Sequence, residues 1–445
     1  MIGDPRFLAD DPGRGYSRRS FLKLGLGTAA LSLASVDRLN AAVYHRVAQL
    51  NRTIPHQESP DGAYWEALRK HYLFQDGLIM MNNGTVGPMP EPVFNTLTDS
   101  FRVQCTSPCE VYNTFGAQRE EVRNKLARFL GADPSEVVLT RNTTEGMNFV
   151  ANGLELSPGD EVILSDMEHP AGLHPWRLKA ERYGVVLKEA ALGLPPASVD
   201  EFVGSFERAL TPRTRVISIS HTVFISGLIA PIKELTEMAH RHGVLVLADS
   251  AHGPGMLDLD LHEMGVDFLA ASPYKWLGAP CGCGILYVRD DVQDQLWPTI
   301  ASSGWDNRES AQHLETLGQR ADPLLFALGE AVDFQTRVGK ERIQRRIQSL
   351  ALHLKEGLAE IPGVRLHTSM DPYLSAGLTA FSMEGVEPEA MVNYLRERYN
   401  LVIRTIGSEE RGTRGVRVST HIVVSTDDVD KVLEGVRLLG ERATA

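Results

Sequence analysis

Two side chains in this sequence are costly to fold around. The apolar run VLVLAD closes on Asp249, and a carboxylate there is expensive unless a cation or hydrogen-bond donors wait for it. The run DFLAAS leads into Ser272-Pro273-Tyr274-Lys275-Trp276-Leu277-Gly278, which encloses a lysine in aromatic and small residues. Burial disfavours the ammonium form of such a lysine and supplies a neutral amine able to form an imine with a carbonyl carbon. A third run, VVLT, is followed by Arg141-Asn142-Thr143-Thr144-Glu145-Gly146, where hydroxyls meet the backbone N–H groups of a starting helix. That turn suits an anionic phosphate. A fourth, EVILSD, exits through Met167-Glu168-His169-Pro170 and offers a flat ring. Singly, each has a plainer use: a helix cap at Thr143 to Glu145, a hydrogen-bonded structural histidine at His169. Phosphate donors, a flat ring, a carboxylate and a lysine at four such exits together describe a site for pyridoxal 5'-phosphate.

The elements that must position these residues are legible in the alternation of the chain. Short apolar runs at 137–140, 161–165, 216–220, 244–249, 268–272 and 284–288 are each bounded by turn or polar residues. Segments of helical period, such as 232–242, lie between most of them. This is the pattern of an α/β fold with a mostly parallel central sheet covered by helices, whose ligand sites lie beyond the carboxyl ends of the strands. After residue 302 the texture changes to a long helical stretch, 324–361, and strands at 378–382 and 416–420, a smaller α+β C-terminal domain. The expected division is a signal segment over 1–41, an N-terminal arm over 42–75, a large domain over 76–305 and a small domain over 306–445.

The strings TRNTTEGMN, MEHPAG, VLADSAHGPG and ASPYKWLGAPCGCGILYV resemble class V aminotransferase-type enzymes, which use pyridoxal 5'-phosphate on fold type I. Within them the chain is similar to the cysteine desulfurase, kynureninase and isopenicillin N epimerase group. The resemblance implies that Lys275 holds the cofactor covalently, that Asp249 pairs with the pyridine nitrogen and that His169 stacks on the ring. It gives the phosphate to Thr143, Thr144, Ser272 and Tyr274, and sets His252 near the ring oxygen. The string Gly415-Val416-Arg417-Val418-Ser419 resembles the family's Arg-x-Ser motif, which implies Arg417 as the partner of a substrate carboxylate; a guanidinium suits that bidentate task better than an ammonium. Met81-Asn82-Asn83-Gly84-Thr85-Val86-Gly87 resembles the segment lining the substrate side, which implies Asn83 there. The resemblance also implies a homodimer in which each active site receives a residue of its partner, here Gln319 where relatives carry threonine.

The departures carry information too. Cysteine desulfurases bear a catalytic cysteine on a loop shortly before the arginine, and the corresponding Thr405-Ile406-Gly407-Ser408-Glu409-Glu410 has none, which argues against persulfide chemistry. Where relatives often place asparagine near the ring oxygen, this chain reads His221-Thr222-Val223-Phe224. Proton return to Cα, proton return to the cofactor and loss of a β- or γ-group remain open: epimerase, transaminase or lyase on an amino-acid-type substrate, with the first two favoured. Two readings of other classes compete. A metal-dependent hydrolase would draw on Asp166, Glu168, His169, His174, His240 and His242, but no H-E-x-x-H spacing joins them. A non-catalytic binding protein would leave Asp249 and Lys275 as poorly compensated charges.

Ser17-Arg18-Arg19-Ser20-Phe21-Leu22-Lys23 precedes an apolar stretch at 24–36 too short and glycine-rich to span a bilayer, and it resembles a twin-arginine export signal. Partners are then the export machinery and a small-molecule substrate, and the expected location is periplasmic or otherwise exported through the twin-arginine route, with no membrane association after export. The net charge of −12 argues against nucleic acid as a partner. Cys105 and Cys109 could close a small loop if their Cα atoms approach, whereas Cys281 and Cys283 are expected as free core residues.

Overall fold

A computed structural model describes residues 61–444 apart from 194, 196–197 and 408–411. The signal expected over 1–41 and the arm as far as residue 60 lie outside the described residues. A seven-stranded sheet dominates, with spatial order β2-β8-β7-β6-β5-β3-β4. Its strands are β2 (Val137–Thr140), β3 (Glu161–Ser165), β4 (Val186–Ala190), β5 (Thr214–Ser220), β6 (Leu245–Asp249), β7 (Phe268–Ala271) and β8 (Gly284–Val288). The pairs β3–β4, β3–β5, β5–β6 and β6–β7 are parallel, and β8 runs antiparallel to both β7 and β2. All six predicted strands are present. The one missed, β4, reads VLKEA on an edge, where exposure lets Glu189 interrupt the apolar run.

Alternate residues of each strand enter two different hydrophobic clusters. On β6, Val246 and Ala248 pack into one and Leu247 into the other; on β8, Ile285 and Tyr287 oppose Leu286 and Val288. This period-2 division buries both faces under helices, which is why the strands read as continuous apolar runs. The shared direction of β2, β3, β5, β6 and β7 turns their carboxyl ends to one edge of the sheet.

The outer edge of β2 pairs with side chains rather than another strand. Arg123 Nη1 donates to Val137 O (2.5 Å), Glu315 Oε2 accepts from Leu139 N–H (2.6 Å), and Arg320 Nη1 donates to Leu139 O (3.1 Å). Arg123 is fully buried and ion-paired to Glu315 at 2.6 Å. The edge is thereby closed to further strand addition, and the turn that follows it is held in place.

The C-terminal part carries an antiparallel sheet ordered β12-β13-β10-β9, built from β9 (Val364–Leu366), β10 (Leu378–Met383), β12 (Arg404–Ile406) and β13 (Gly415–Ser419). On β13, Val416 and Val418 enter a third cluster with Leu350, Leu354 and Val432, leaving Arg417 and Ser419 on the opposite face. A two-residue parallel pairing of β1 (Ile79–Met80) with β11 (Leu401–Val402) ties the N-terminal segment to this part. The helical stretch expected over 324–361 is two helices, Asp322–Val338 and Lys340–Ala359, broken at Gly339 with φ 94°. The apolar stripe runs across that break, so periodicity alone could not show it.

All four cysteines are free. Cys105 and Cys109 sit exposed on successive helices, and of the other pair only Cys283 is in the core. The turn before β8 carries Cys281 outward, against expectation. Among the described residues no helix is long and apolar enough to cross a membrane.

Arg123→Met, which keeps the stem and removes the charge, strands the Glu315 carboxylate. The expected loss is roughly 3–5 kcal/mol in denaturant unfolding, and a change under 1 kcal/mol would show that the β2 edge does not depend on this pair.

Candidate active site

A cavity opens beyond the carboxyl ends of these strands. At its β2 side Asn142 caps the helix Thr143–Gly153 by accepting from Glu145 N–H (2.9 Å). Thr143 meets Ser272 twice, its N–H donating to Ser272 Oγ (3.1 Å) and its hydroxyl lying 2.8 Å from the same oxygen. With Thr144 and Tyr274 also on the wall, one corner concentrates hydroxyls at the positive end of an 11-residue helix.

Asp249 ends β6 fully inside, its Oδ1 accepting from Ala251 N–H (3.1 Å). Burial pushes its carboxyl up, an effect the Lys275 charge opposes. Lys275 closes a turn through its N–H to Ser272 O (3.1 Å). Loss of water lowers its amine to about 8; the nearby Asp249 charge opposes this, and those of Arg417 and Arg404 add to it. Its Nζ lies 3.4 Å from His252 Nε2. His169 caps the helix Pro170–Tyr183 by accepting Ala171 N–H on Nδ1 (3.1 Å), and desolvation followed by the Lys275, Arg404 and Arg417 charges lowers it to about 4. A neutral imidazole with a fixed tautomer is left on the cavity wall, edge-on to Phe224 at 5.0 Å between centroids.

Arg417 reaches the site from β13. It is 1% exposed; Nη1 donates to Phe224 O (2.8 Å), while Nε and Nη2 are buried with no partner among the described residues. Gly84 makes room for it, since a Cβ there would fall 2.2 Å from Nη2. The segment around Gly84 joins the two parts of the site. Gly84 N–H donates to Ser419 Oγ (3.2 Å), Gly87 N–H donates to Tyr274 O (3.0 Å), and buried Asn83 donates from Nδ2 to Lys275 O (3.5 Å). Asn83 therefore braces the lysine turn, with its Oδ1 unpartnered among the described residues.

The class-V aminotransferase profile matches residues 88–432 of the chain. The chain belongs to the class-V aminotransferase family. It is 31% identical over 394 residues to an isopenicillin N epimerase of Streptomyces clavuligerus, covering 85% of this chain and 98% of that protein. A probable cysteine desulfurase of Methanothermobacter thermautotrophicus is 29% identical over 340 residues, 74% of this chain and 83% of the relative. Among solved structures, a cystine C-S lyase in complex with its product cysteine persulfide aligns with TM-score 0.74 and 25% identity, over 80% of this chain and 96% of the lyase. The cysteine desulfurase CsdA of Escherichia coli gives TM-score 0.74 and 26% identity, over 85% and 97%.

The chain is thus a pyridoxal 5'-phosphate-dependent enzyme of fold type I, and the cavity fits that group. A hydroxyl corner at a helix start, a carboxylate, a flat neutral ring and a desolvated amine converge on one space, and a buried guanidinium with unpartnered N–H groups stands beside it. Thr143, Thr144, His169, Asp249, His252, Ser272, Tyr274 and Lys275 all line the cavity as the sequence suggested. Gln319 does not; it is exposed on the loop after Gly318. From the divergent segment at 221–224 the cavity receives Thr222 and Phe224, whereas His221 turns to Ser250 Oγ (2.9 Å). The hydrolase ligands are not gathered: among the described residues the group close enough to share an ion is Asp133, Glu136 and His262, far from these positions in sequence, and Glu136 there already accepts from Tyr287 and Asp290 N–H.

Sequence reasoning missed Arg404, whose charge acts on His169, Lys275 and Arg417 and which donates to Thr85 Oγ1 (3.3 Å). An exposed arginine on a three-residue strand gives no signal. It also assigned Glu168 only to a metal site. That side chain is buried, accepts from Ser220 Oγ (2.7 Å) and Ser165 Oγ (2.5 Å), and is pushed up to about 7 by burial, with the Asp249 charge adding to the rise.

Because the folded protein holds the Glu168 proton above the ordinary value of 4.5, its contribution is complete below that value and fades as pH rises through about 7. Cofactor-free protein is expected to lose a few kcal/mol across this window, at about 1.4 kcal/mol per pH unit. Glu168→Gln should flatten that slope in denaturant unfolding against pH; an unchanged slope would mean that Glu168 is ionised throughout.

Proposed function

We propose that this enzyme acts at Cα of an amino-acid-type substrate, as an isopenicillin N epimerase-like epimerase or as an aminotransferase. The observation that carries the reading is Arg417: a buried cation with two unpartnered N–H-bearing nitrogens, electrostatically coupled to Lys275. An unpaired buried charge costs several kcal/mol unless a counter-ion arrives, and a carboxylate supplies both the charge and the two acceptors. Bound pyridoxal 5'-phosphate supplies an electron sink for the pair left when a bond to Cα breaks. Thr143, Thr144, Ser272 and Tyr274 would hold its phosphate, Asp249 would serve the ring nitrogen, His169 would stack on the ring and His252 would serve the ring oxygen. Lys275 Nζ, whose amine is neutral in a large fraction near its value of about 8, would take the Cα proton; epimerisation then needs a proton delivered to the opposite face of Cα, and transamination needs one delivered to the cofactor carbon.

Likeness to isopenicillin N epimerase along nearly that enzyme's whole length supports the epimerase reading. The absence of cysteine between Thr405 and Glu410 speaks against the desulfurase route. A lyase is the second reading, favoured by the structural likeness to the cystine C-S lyase. The proposal extends to a homodimer, in which exposed Gln319 would serve the partner's phosphate site, and to twin-arginine export into the periplasm, supported by SRRSFLK.

In deuterated water the holoenzyme is expected to exchange Cα–H of an amino-acid substrate, and Lys275→Ala to abolish both exchange and the protein-bound cofactor adduct trapped by borohydride. Release of ammonia and an oxo acid without exchange into recovered substrate would replace the main reading by the lyase. Gly84→Ala, which displaces Arg417, should raise KM at least tenfold; an unchanged KM would remove Arg417 from carboxylate binding. Export should fail in the Arg18→Lys, Arg19→Lys double variant, and retained export would refute the signal.

A further inference from the structure

Trp276 follows Lys275 and is fully buried, so its indole N–H needs an acceptor within the protein. It finds one in His252, donating to Nδ1 at 3.1 Å. The geometry of the indole is not free to change. Its backbone carbonyl accepts from Gln335 Nε2 (3.0 Å) and from His421 Nε2 (3.3 Å), and its ring edge fills the space at Gly377, where a Cβ would lie 2.6 Å away.

This contact decides a proton position 24 residues away in sequence. An imidazole nitrogen that accepts a hydrogen bond does not carry the proton, so a neutral His252 must carry it on Nε2. His252 is held neutral: burial first, then the charges facing it from Lys275, Arg417 and His169, place it well below its ordinary value. Nε2 is the nitrogen 3.4 Å from Lys275 Nζ. An N–H pointed at an ammonium finds no lone pair, whereas a neutral amine accepts it. The opposite tautomer would offer the ammonium an acceptor and leave two N–H groups, of Trp276 and His252, facing each other in the core. The other groups acting on Lys275 do not settle this choice, since Asp249 favours the ammonium while Arg417 and Arg404 oppose it.

We propose that Trp276 is a positioning residue: its indole N–H locks His252 in the Nε2–H tautomer, and the hydrogen so directed at Lys275 Nζ selects the neutral amine that attacks a carbonyl carbon. The inference rests on Lys275 being the reacting amine, but its test is read in cofactor-free protein and does not depend on turnover. Nitrogen-15 NMR of histidine-labelled protein at neutral pH should show His252 with its proton on Nε2. The pH dependence of Lys275 acylation, followed by peptide mass, should move upward by about one unit in Trp276→Phe, the effect of one hydrogen bond on one protonation state. In a His252→Phe background the same Trp276→Phe change should add nothing, because the path through the imidazole is already gone.

A wild-type His252 protonated on Nδ1 would overturn the proposal, and that measurement suffices even if Trp276→Phe does not fold. An unchanged Lys275 titration in Trp276→Phe would overturn it too, as would a shift of equal size in the His252→Phe background, which would assign the effect to packing. Failure of the underlying reading would show elsewhere, as a protein-bound cofactor adduct still trapped by borohydride in Lys275→Ala.

Discussion

The constraint on which the site depends is the placing of an acid and an amine out of water on neighbouring strand exits. Asp249 closes β6 and Lys275 follows β7, and these two strands are hydrogen-bonded to each other. Neither group is fully compensated by the other. Burial raises the Asp249 carboxyl and lowers the Lys275 amine, so the pair is poised rather than locked as an ion pair. A closed salt bridge would be inert toward a carbonyl carbon. Two desolvated groups that a cofactor can separate and complete are reactive, and the fold bears their cost until it binds.

The rest of the architecture keeps that arrangement open and oriented. Alternation on the large sheet buries both faces, and the common direction of its strands sends the chemistry to one edge. Alternation on β13 sends Val416 and Val418 into their own core and Arg417 toward the same space from the other side. The segment 81–87 binds the two together: it pairs with Ser419, braces the Lys275 turn through Asn83 and Gly87, and at Gly84 leaves the gap that the guanidinium occupies. A displacement at any of these points moves Arg417 relative to Lys275, so substrate binding and chemistry are mechanically linked through seven residues of backbone.

Much of this was legible because it is local. A strand exit and the residues just after it are read together, so Thr143, His169, Asp249, Ser272 and Lys275 could be found without knowing how the strands are ordered. What escaped is tertiary. The β4 edge strand is polar where it is exposed, and Gly339 breaks a helical stripe that continues across it. Phe224 enters the cavity from a segment with no motif, and Arg404 acts through space from an exposed position. Glu168 was visible as an acid, but its closeness to Asp249 depends on strand order. The indole of Trp276 reads as core packing in the sequence, and only the fold shows that its one polar atom faces His252.

The central claim is that Lys275, among the lysines removed from water, is the amine that takes the cofactor. Lys179 and Lys355 are also buried, but each ammonium is held by carbonyl or hydroxyl acceptors, Ala151 O for one and Ser369 O with Ser375 Oγ for the other. Borohydride reduction of the holoenzyme, followed by peptide mass analysis, tests this directly. The account predicts one cofactor adduct per chain, on the peptide containing Lys275. An adduct on Lys179 or Lys355, or none at all, would contradict it.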